Sequence, residues 1–320
     1  MKSKSWLCTL CVIVLMAGCA APQKEASAPS IIVGFAQLGS ESGWRVGNTR
    51  DISEAAERAG VALIYKNADQ NQDNQIRAIR QFIAQQVDVI AFSPIVETGW
   101  DDVLLEAKEA KIPVLLTDRY IRIEQDDLYA GFIGSDFLEE GRKAGAFLGQ
   151  KCAPRSAVRI VELAGTAEST PAKERATGFR EHVDADEKFE IIATIYGDFL
   201  RSKGKECMQN ILCETHEIDV LYSHNDAMTL GAIEAIEEAG LRPGKDIIII
   251  TVDGEQGAID LLIEGKINCV VECTPLIGDR IMELSKHLAA GEPIPRRSYS
   301  EERVFSEYDK DLAALAPRGY

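Results

Sequence analysis

From residue 31 onward, hydrophobic and polar positions follow two alternating rhythms. Short apolar runs at 31–35, 61–64, 87–92, 112–116 and 129–133 predict strands buried on both faces. Between them lie longer stretches with helical spacing. One covers 43–59 and is stopped by Gly60; one covers 71–86, with Ile76, Ile79 and Ile83 on one face; one covers 99–110. The rhythm then starts again, with strands predicted at 158–163, 190–196, 219–222, 247–252 and 268–272. Helices are predicted between them, including 202–213 and 226–238, the latter closed by Gly240. Strands alternating with helices predict parallel sheets covered on both faces, here as two similar, doubly wound α/β lobes. After Thr274-Pro275 one more helix runs to about residue 290, too little chain for a third domain, and is expected to return to the first lobe.

The first thirty residues follow neither rhythm. Lys2 and Lys4 precede an apolar run at 6–17, interrupted only by Thr9, which is short for a membrane span and suits the core of a signal peptide. The run ends in Leu15-Met16-Ala17-Gly18-Cys19, which resembles the lipobox of bacterial lipoproteins, with Met16 where Leu is more usual. That resemblance implies cleavage before Cys19 and lipidation of its thiol, with residues 20–30 as a polar tether. The alternative is an ordinary cleaved signal with a chance cysteine. Either way the expected address lies outside the cytoplasmic membrane, and the membrane is touched only through the N-terminal lipid.

Net charge is −16, and −18 once Lys2 and Lys4 leave with the signal, which argues against a nucleic-acid partner. Cys152, Cys207, Cys213, Cys269 and Cys273 remain beyond the leader, without the C-x-x-C spacing of a metal site. Cys269 and Cys273 share one extended segment and stand roughly 13 Å apart, too far to bridge. An oxidising address permits a disulfide, for which Cys152 with Cys213 is the expected pair; buried thiols are the alternative.

Ligands of open α/β sheets bind outside the carboxyl ends of the strands, so two facing lobes would enclose one interlobe cleft that closes about a hinge. The strand ends carry a recurrent chemistry. Ser40-Glu41-Ser42-Gly43-Trp44-Arg45 follows the first strand and Asp118-Arg119 the fourth. Arg175 lies on the helix after Gly165-Thr166. Gly197-Asp198-Phe199, His224-Asn225-Asp226, Asp253-Gly254 and Glu272 end later strands. Planar polar groups and guanidinium forks suit neighbouring hydroxyls, and aromatic rings suit the C–H face of a sugar. Taken singly, a strand-end Asp such as Asp226 or Asp253 is as often a helix cap.

At these residues the chain resembles the periplasmic sugar-binding proteins of ABC transporters, in the ribose/galactose-binding branch, and within it the galactofuranose-binding proteins. The resemblance rests on the stretches just quoted, together with residues 197–206, Gly231-Ala232-Ile233, Glu238-Ala239-Gly240-Leu241 and Pro243-Gly244-Lys245-Asp246, and covers roughly 31–310. It implies a multi-strand hinge, an N-terminal lobe of 31–134 plus about 274–305, and a C-terminal lobe of 135–273 plus about 306–320. It implies ligand contacts from Ser40, Glu41, Trp44, Arg45, Asp118 and Arg119 on one side and Arg175, Phe199, Asn225 and Asp253 on the other, with Glu272 at a hinge crossing. It further implies a monomer without cofactor or metal that delivers a monosaccharide to an ABC permease. One departure stands out: small residues usually follow the Gly-Thr pair, whereas here the stretch is Ala167-Glu168-Ser169-Thr170-Pro171. Glu168 either alters which sugar fits or points to solvent at a helix N-terminus.

Other function classes fit less well. The carboxylates Asp118 and Asp253 could in principle hydrolyse a glycoside, but neighbouring arginines favour their ionised forms, and no nucleophile elbow, zinc motif or phosphate loop is present. His224 is the one histidine at a strand end, and a structural role is expected for it. A repressor would need a helix-turn-helix where the leader stands. A sugar sensor presenting its ligand to a membrane receptor or histidine kinase would share the same binding chemistry.

Overall fold

The computed structural model describes residues 31–320. The signal peptide, Cys19 and the tether lie outside the described residues. Among the latter, no helix is long and apolar enough to cross a membrane.

The first lobe is built from β1 (Ile32–Gln37), α1 (Gly43–Ala59), β2 (Ala62–Asn67), α2 (Gln72–Ala84), β3 (Val89–Phe92), α3 (Asp101–Glu109), β4 (Val114–Thr117) and β5 (Gly131–Gly134). The second lobe follows with α4 (Phe137–Lys151), β6 (Val158–Ala164), α5 (Thr170–Val183), β7 (Phe189–Tyr196), α6 (Arg201–Glu214), β8 (Val220–Ser223), α7 (Asp226–Glu238), β9 (Ile248–Asp253), α8 (Gln256–Ile263) and β10 (Cys269–Glu272). Then α9 (Gly278–Ala289) and β11 (Arg297–Tyr299) rejoin the first lobe, and β12 (Val304–Ser306) rejoins the second.

The two six-stranded sheets run β11-β5-β4-β3-β1-β2 and β12-β10-β9-β8-β6-β7. Every pair is parallel except β12, which lies antiparallel on β10. Central strands such as β3, β4, β8, β9 and β10 are buried at every position, as helices on both faces demand, whereas the edge strands β2 and β7 are half exposed. Helices α1 and α9 cover one face of the first sheet and α2 and α3 the other; α4 and α5 cover one face of the second, α6 and α7 the other. The helix after Thr274-Pro275 thus packs against α1.

The chain crosses between lobes after β5, after β10 and between β11 and β12. Glu302, on the last crossing, holds the other two: its Oε1 accepts from Ser135 Oγ at 2.5 Å and from the Thr274 N–H at 2.9 Å. The C-terminal tail touches both lobes. The Tyr320 carbonyl accepts from the Gln256 N–H at 2.8 Å, while Tyr320 packs on Gly47 of α1 and the Gly319 carbonyl accepts from Arg50.

The expected Cys152–Cys213 disulfide does not form. Cys152 is buried under the α4/α5 face of the second sheet, and Cys213 is exposed at the end of α6 on the opposite face. The sheet separates them, and all five cysteines among the described residues are unpaired.

Candidate functional site

The carboxyl ends of both sheets face one another across a cavity with about 310 Å³ of free space, mouth included. From the first lobe it is lined by Glu41, Ser42, Trp44, Arg45, Asp118 and Arg119. From the second come Phe137, Pro171, Arg175, Phe199, Asn225, Asp253 and Cys273.

Backbone geometry sets these side chains. Asp118 follows β4 with φ 59°, Asp198 and Phe199 follow β7 at 51° and 63°, and Asp253 ends β9 at 127°. Non-glycine residues rarely occupy this region, and such strain collects where a fold aims side chains for function. Phe199 lies so close to Gly165 that a Cβ there would be 1.9 Å from the ring. Ser42 caps α1, its Oγ accepting from the Arg45 N–H at 3.1 Å, and so fixes the turn that presents Trp44 and Arg45. Asn225 caps α7 through the Met228 N–H at 3.0 Å, and its Nδ2 donates to the Phe199 carbonyl at 3.3 Å.

The first-lobe side is a buried four-charge cluster. Arg45 donates from Nη2 to Asp118 at 2.5 Å and from Nε to Glu41 at 3.1 Å. Burial opposes the Arg45 charge, but Asp118 and Glu41 outweigh it and raise its pKa. Arg119 is less well paired: its nearest approaches to Glu41 and Asp118 are 3.9 and 3.8 Å. Burial and then Arg45 lower it to about 10, so it stays charged at neutral pH. Its guanidinium reaches across the cleft to stand 5.1 Å from the centre of the Phe199 ring. Glu41 Oε2, Arg45 Nη1 and Arg119 Nε are buried without a hydrogen-bond partner. Two donors and an acceptor left over on cavity-lining side chains are what a polar ligand would satisfy.

On the second-lobe side, Arg175 donates to Glu140 at 2.6 Å and to the His224 carbonyl at 2.5 Å, and stands 3.8 Å from Asp253. Burial pushes the Asp253 carboxyl well up, against the pull of Arg175. Trp44 ties the first lobe to the hinge, its indole N–H donating to the Cys273 carbonyl at 2.7 Å.

Most strand-end residues expected from the sequence therefore meet in one cavity, but Ser40 and Glu272 do not line it. Ser40 is exposed and accepts from Asn67. Glu272 points along the hinge, where it takes the Arg303 N–H at 3.0 Å and pairs with Arg318. Asp226 proves to be a brace: it accepts the Gly254 and Glu255 N–H groups, each at 2.7 Å, and burial, then Glu255, raises it to about 8. His224 is buried against Glu162 at 3.2 Å and held neutral by burial, a structural role. The Glu168 carboxylate is exposed and pairs with Lys173 at 3.0 Å, away from the cavity lining. Its carbonyl and Lys173 clasp Glu97 of the first lobe, at 3.1 and 2.9 Å. Phe137, Pro171 and Cys273 were not anticipated. None is a polar strand-end residue: Phe137 and Cys273 lie where the chain crosses between lobes, and Pro171 opens α5.

A family model described as a periplasmic binding protein domain matches residues 33–293. The chain belongs to that family. It is 40% identical to the galactofuranose-binding protein YtfQ of Escherichia coli K12 over 88% of this chain and 89% of the relative. A Mycobacterium smegmatis protein solved in complex with β-D-fucofuranose superposes with TM-score 0.87 at 48% identity, covering 89% of this chain and 93% of that one. The periplasmic binding protein component of the arabinose ABC transporter of Shewanella sp. ANA-3, bound to α- and β-L-arabinofuranose, gives 0.84 at 41% identity, with coverage of 88% and 93%.

Proposed function

We propose that this protein captures a monosaccharide in its furanose ring form, galactofuranose or a close analogue, outside the cytoplasmic membrane, and hands it to the permease of an ABC importer. The observation that carries the reading is the cavity itself. Its lining brings side chains of both lobes together on one largely buried polar space at the carboxyl ends of the two sheets. Charged forks from both lobes surround it, and Trp44 and Phe199 supply apolar wall. The furanose ligands of the two solved relatives support the ring form.

In this reading Glu41, Arg45, Asp118 and Arg119 take hydroxyls first. Closure then brings Arg175, Asn225 and Asp253 onto the remaining hydroxyls and excludes water, which strengthens each polar contact. The closed shape, selected by population shift, is what the permease reads. Cys19 carries the lipid that keeps the monomer at the membrane. A thermal-shift screen with D-galactose, L-arabinose, D-fucose, polyols and nucleosides tests this. A concentration-dependent rise with the first three supports it; a rise with nucleosides alone, or none at all, overturns it.

A further inference from the structure

Helix α1 presents Trp44 and Arg45 to the cavity, yet its first turn carries no acidic residue of its own. Ser42 satisfies the Arg45 N–H, which leaves the Trp44 N–H without a partner from its own lobe. That partner comes from the other lobe. Glu255 Oε1 accepts from the Trp44 N–H at 2.7 Å, across a sequence separation of 211 residues. Its Oε2 lies against Gly43, where a Cβ would be 2.7 Å away, so the glycine makes room for the carboxylate. Glu255 is buried, and its own N–H is pinned by Asp226 at the start of α8. Among the described residues no Lys or Arg forms an ion pair with it. Burial pushes its carboxyl up, and the Trp44 N–H pulls it back. A carboxylate at a helix N-terminus meets both free N–H groups and the positive end of the helix dipole.

We propose that Glu255 is the positioning residue that couples sugar capture to closure. It docks on the N-terminus of α1 only when the lobes meet, and there it fixes the turn carrying Trp44 and Arg45. It does not line the cavity, so it acts through those two residues and not on the ligand. The contact joins a turn after β1 to a turn after β9, and opening the hinge would break it. The proposal rests on the sugar-capture reading for its ligand, but the contact itself can be tested without one.

The test compares wild type, Glu255→Ala and Glu255→Gln by calorimetric titration with L-arabinose and D-galactose, by dissociation rate, and by hydrogen exchange at the Trp44 amide. Glu255→Ala removes the acceptor and is expected to weaken sugar binding about tenfold or more, mainly through faster dissociation. The sugar-free thermal midpoint should stay close to that of wild type. Glu255→Gln keeps an oxygen for the Trp44 N–H and should recover most of the loss. The Trp44 amide should exchange faster in the Ala variant, most strongly with sugar bound and less without it, in proportion to how often the sugar-free lobes close. Wild-type affinity together with wild-type Trp44 protection in Glu255→Ala would overturn the proposal. So would an equal drop in the sugar-free and sugar-bound midpoints, which marks a merely structural role. If neither sugar binds wild type, the sugar reading fails, and Trp44 exchange alone still decides for or against Glu255.

Discussion

Asp118→Asn separates charge from shape at the centre of the cavity. Asp118 sits at φ 59°, a region that Asn tolerates better than any other non-glycine residue, so the backbone should hold. The wild-type cluster balances Arg45 and Arg119 against Glu41 and Asp118, all with side chains no more than 6% exposed. Asn leaves one uncompensated positive charge. Arg45 keeps Glu41 at 3.1 Å but loses its 2.5 Å carboxylate partner. Breaking a buried pair costs about 3–5 kcal/mol, and the amide oxygen still accepts from Arg45, so a loss of about 2–3 kcal/mol is expected in urea unfolding of the sugar-free protein. A charged acceptor for a sugar hydroxyl is lost as well, worth about 1.5 kcal/mol, or roughly tenfold in the dissociation constant by calorimetry. Asp118→Ala should be worse by about 1 kcal/mol, because alanine adds the cost of the left-handed backbone. Unchanged stability and unchanged affinity in Asp118→Asn would refute the claim that these four charges form one coupled network facing the ligand.

Three further outcomes follow from the geometry. Burial, then Glu140, lifts the Glu302 carboxyl to about 9, so the folded state keeps a proton that the unfolded chain releases above its ordinary carboxylate pKa. Stability should therefore fall with rising pH across that window by about 1.4 kcal/mol per unit and level off above about 9; Glu302→Gln, followed by urea unfolding at several pH values, should remove this component. Gly165→Ala drives a methyl into the Phe199 ring and should cost about 1–3 kcal/mol along with sugar affinity, whereas Gly257→Ala, whose nearest neighbour stands at 3.7 Å, should not destabilise; equal effects in thermal unfolding would contradict the packing described. Glu168→Ala should change sugar affinity by less than about fivefold in calorimetry, since an exposed pair contributes at most about 1 kcal/mol and Lys173 retains Glu97; a larger loss would restore Glu168 to the ligand's surroundings.

Much of this architecture was legible because it is local. Helix α1 announces itself by its helical spacing and its stop at Gly60, and the central strands by short apolar runs. The strands β11 and β12 were not, because three residues each, partly exposed, carry no period. Strand-end polarity located the cavity, since topology alone puts those residues at one rim. Polarity alone could not separate Asp253, which lines the cavity, from Asp226, which braces a turn, because both are acids near the carboxyl end of a strand. An oxidising address permitted the pairing of Cys152 with Cys213, but the intervening sheet keeps them apart. Ser40 does not reach the cavity, because a side chain's direction at a strand end depends on partners further along the chain, here Asn67, while Glu272 stands at the hinge crossing, paired with Arg318. Glu255 was invisible in the sequence because its partner lies in the other lobe.

The most direct measurement is the carbon-13 spectrum of D-galactose and of L-arabinose, labelled at the anomeric carbon, when bound to the purified protein. A bound anomeric signal in the furanose range, displaced by unlabelled sugar and lost in Arg119→Ala, is the predicted result. Bound pyranose signals, or no bound signal from either sugar, would contradict the proposed capture of a furanose sugar.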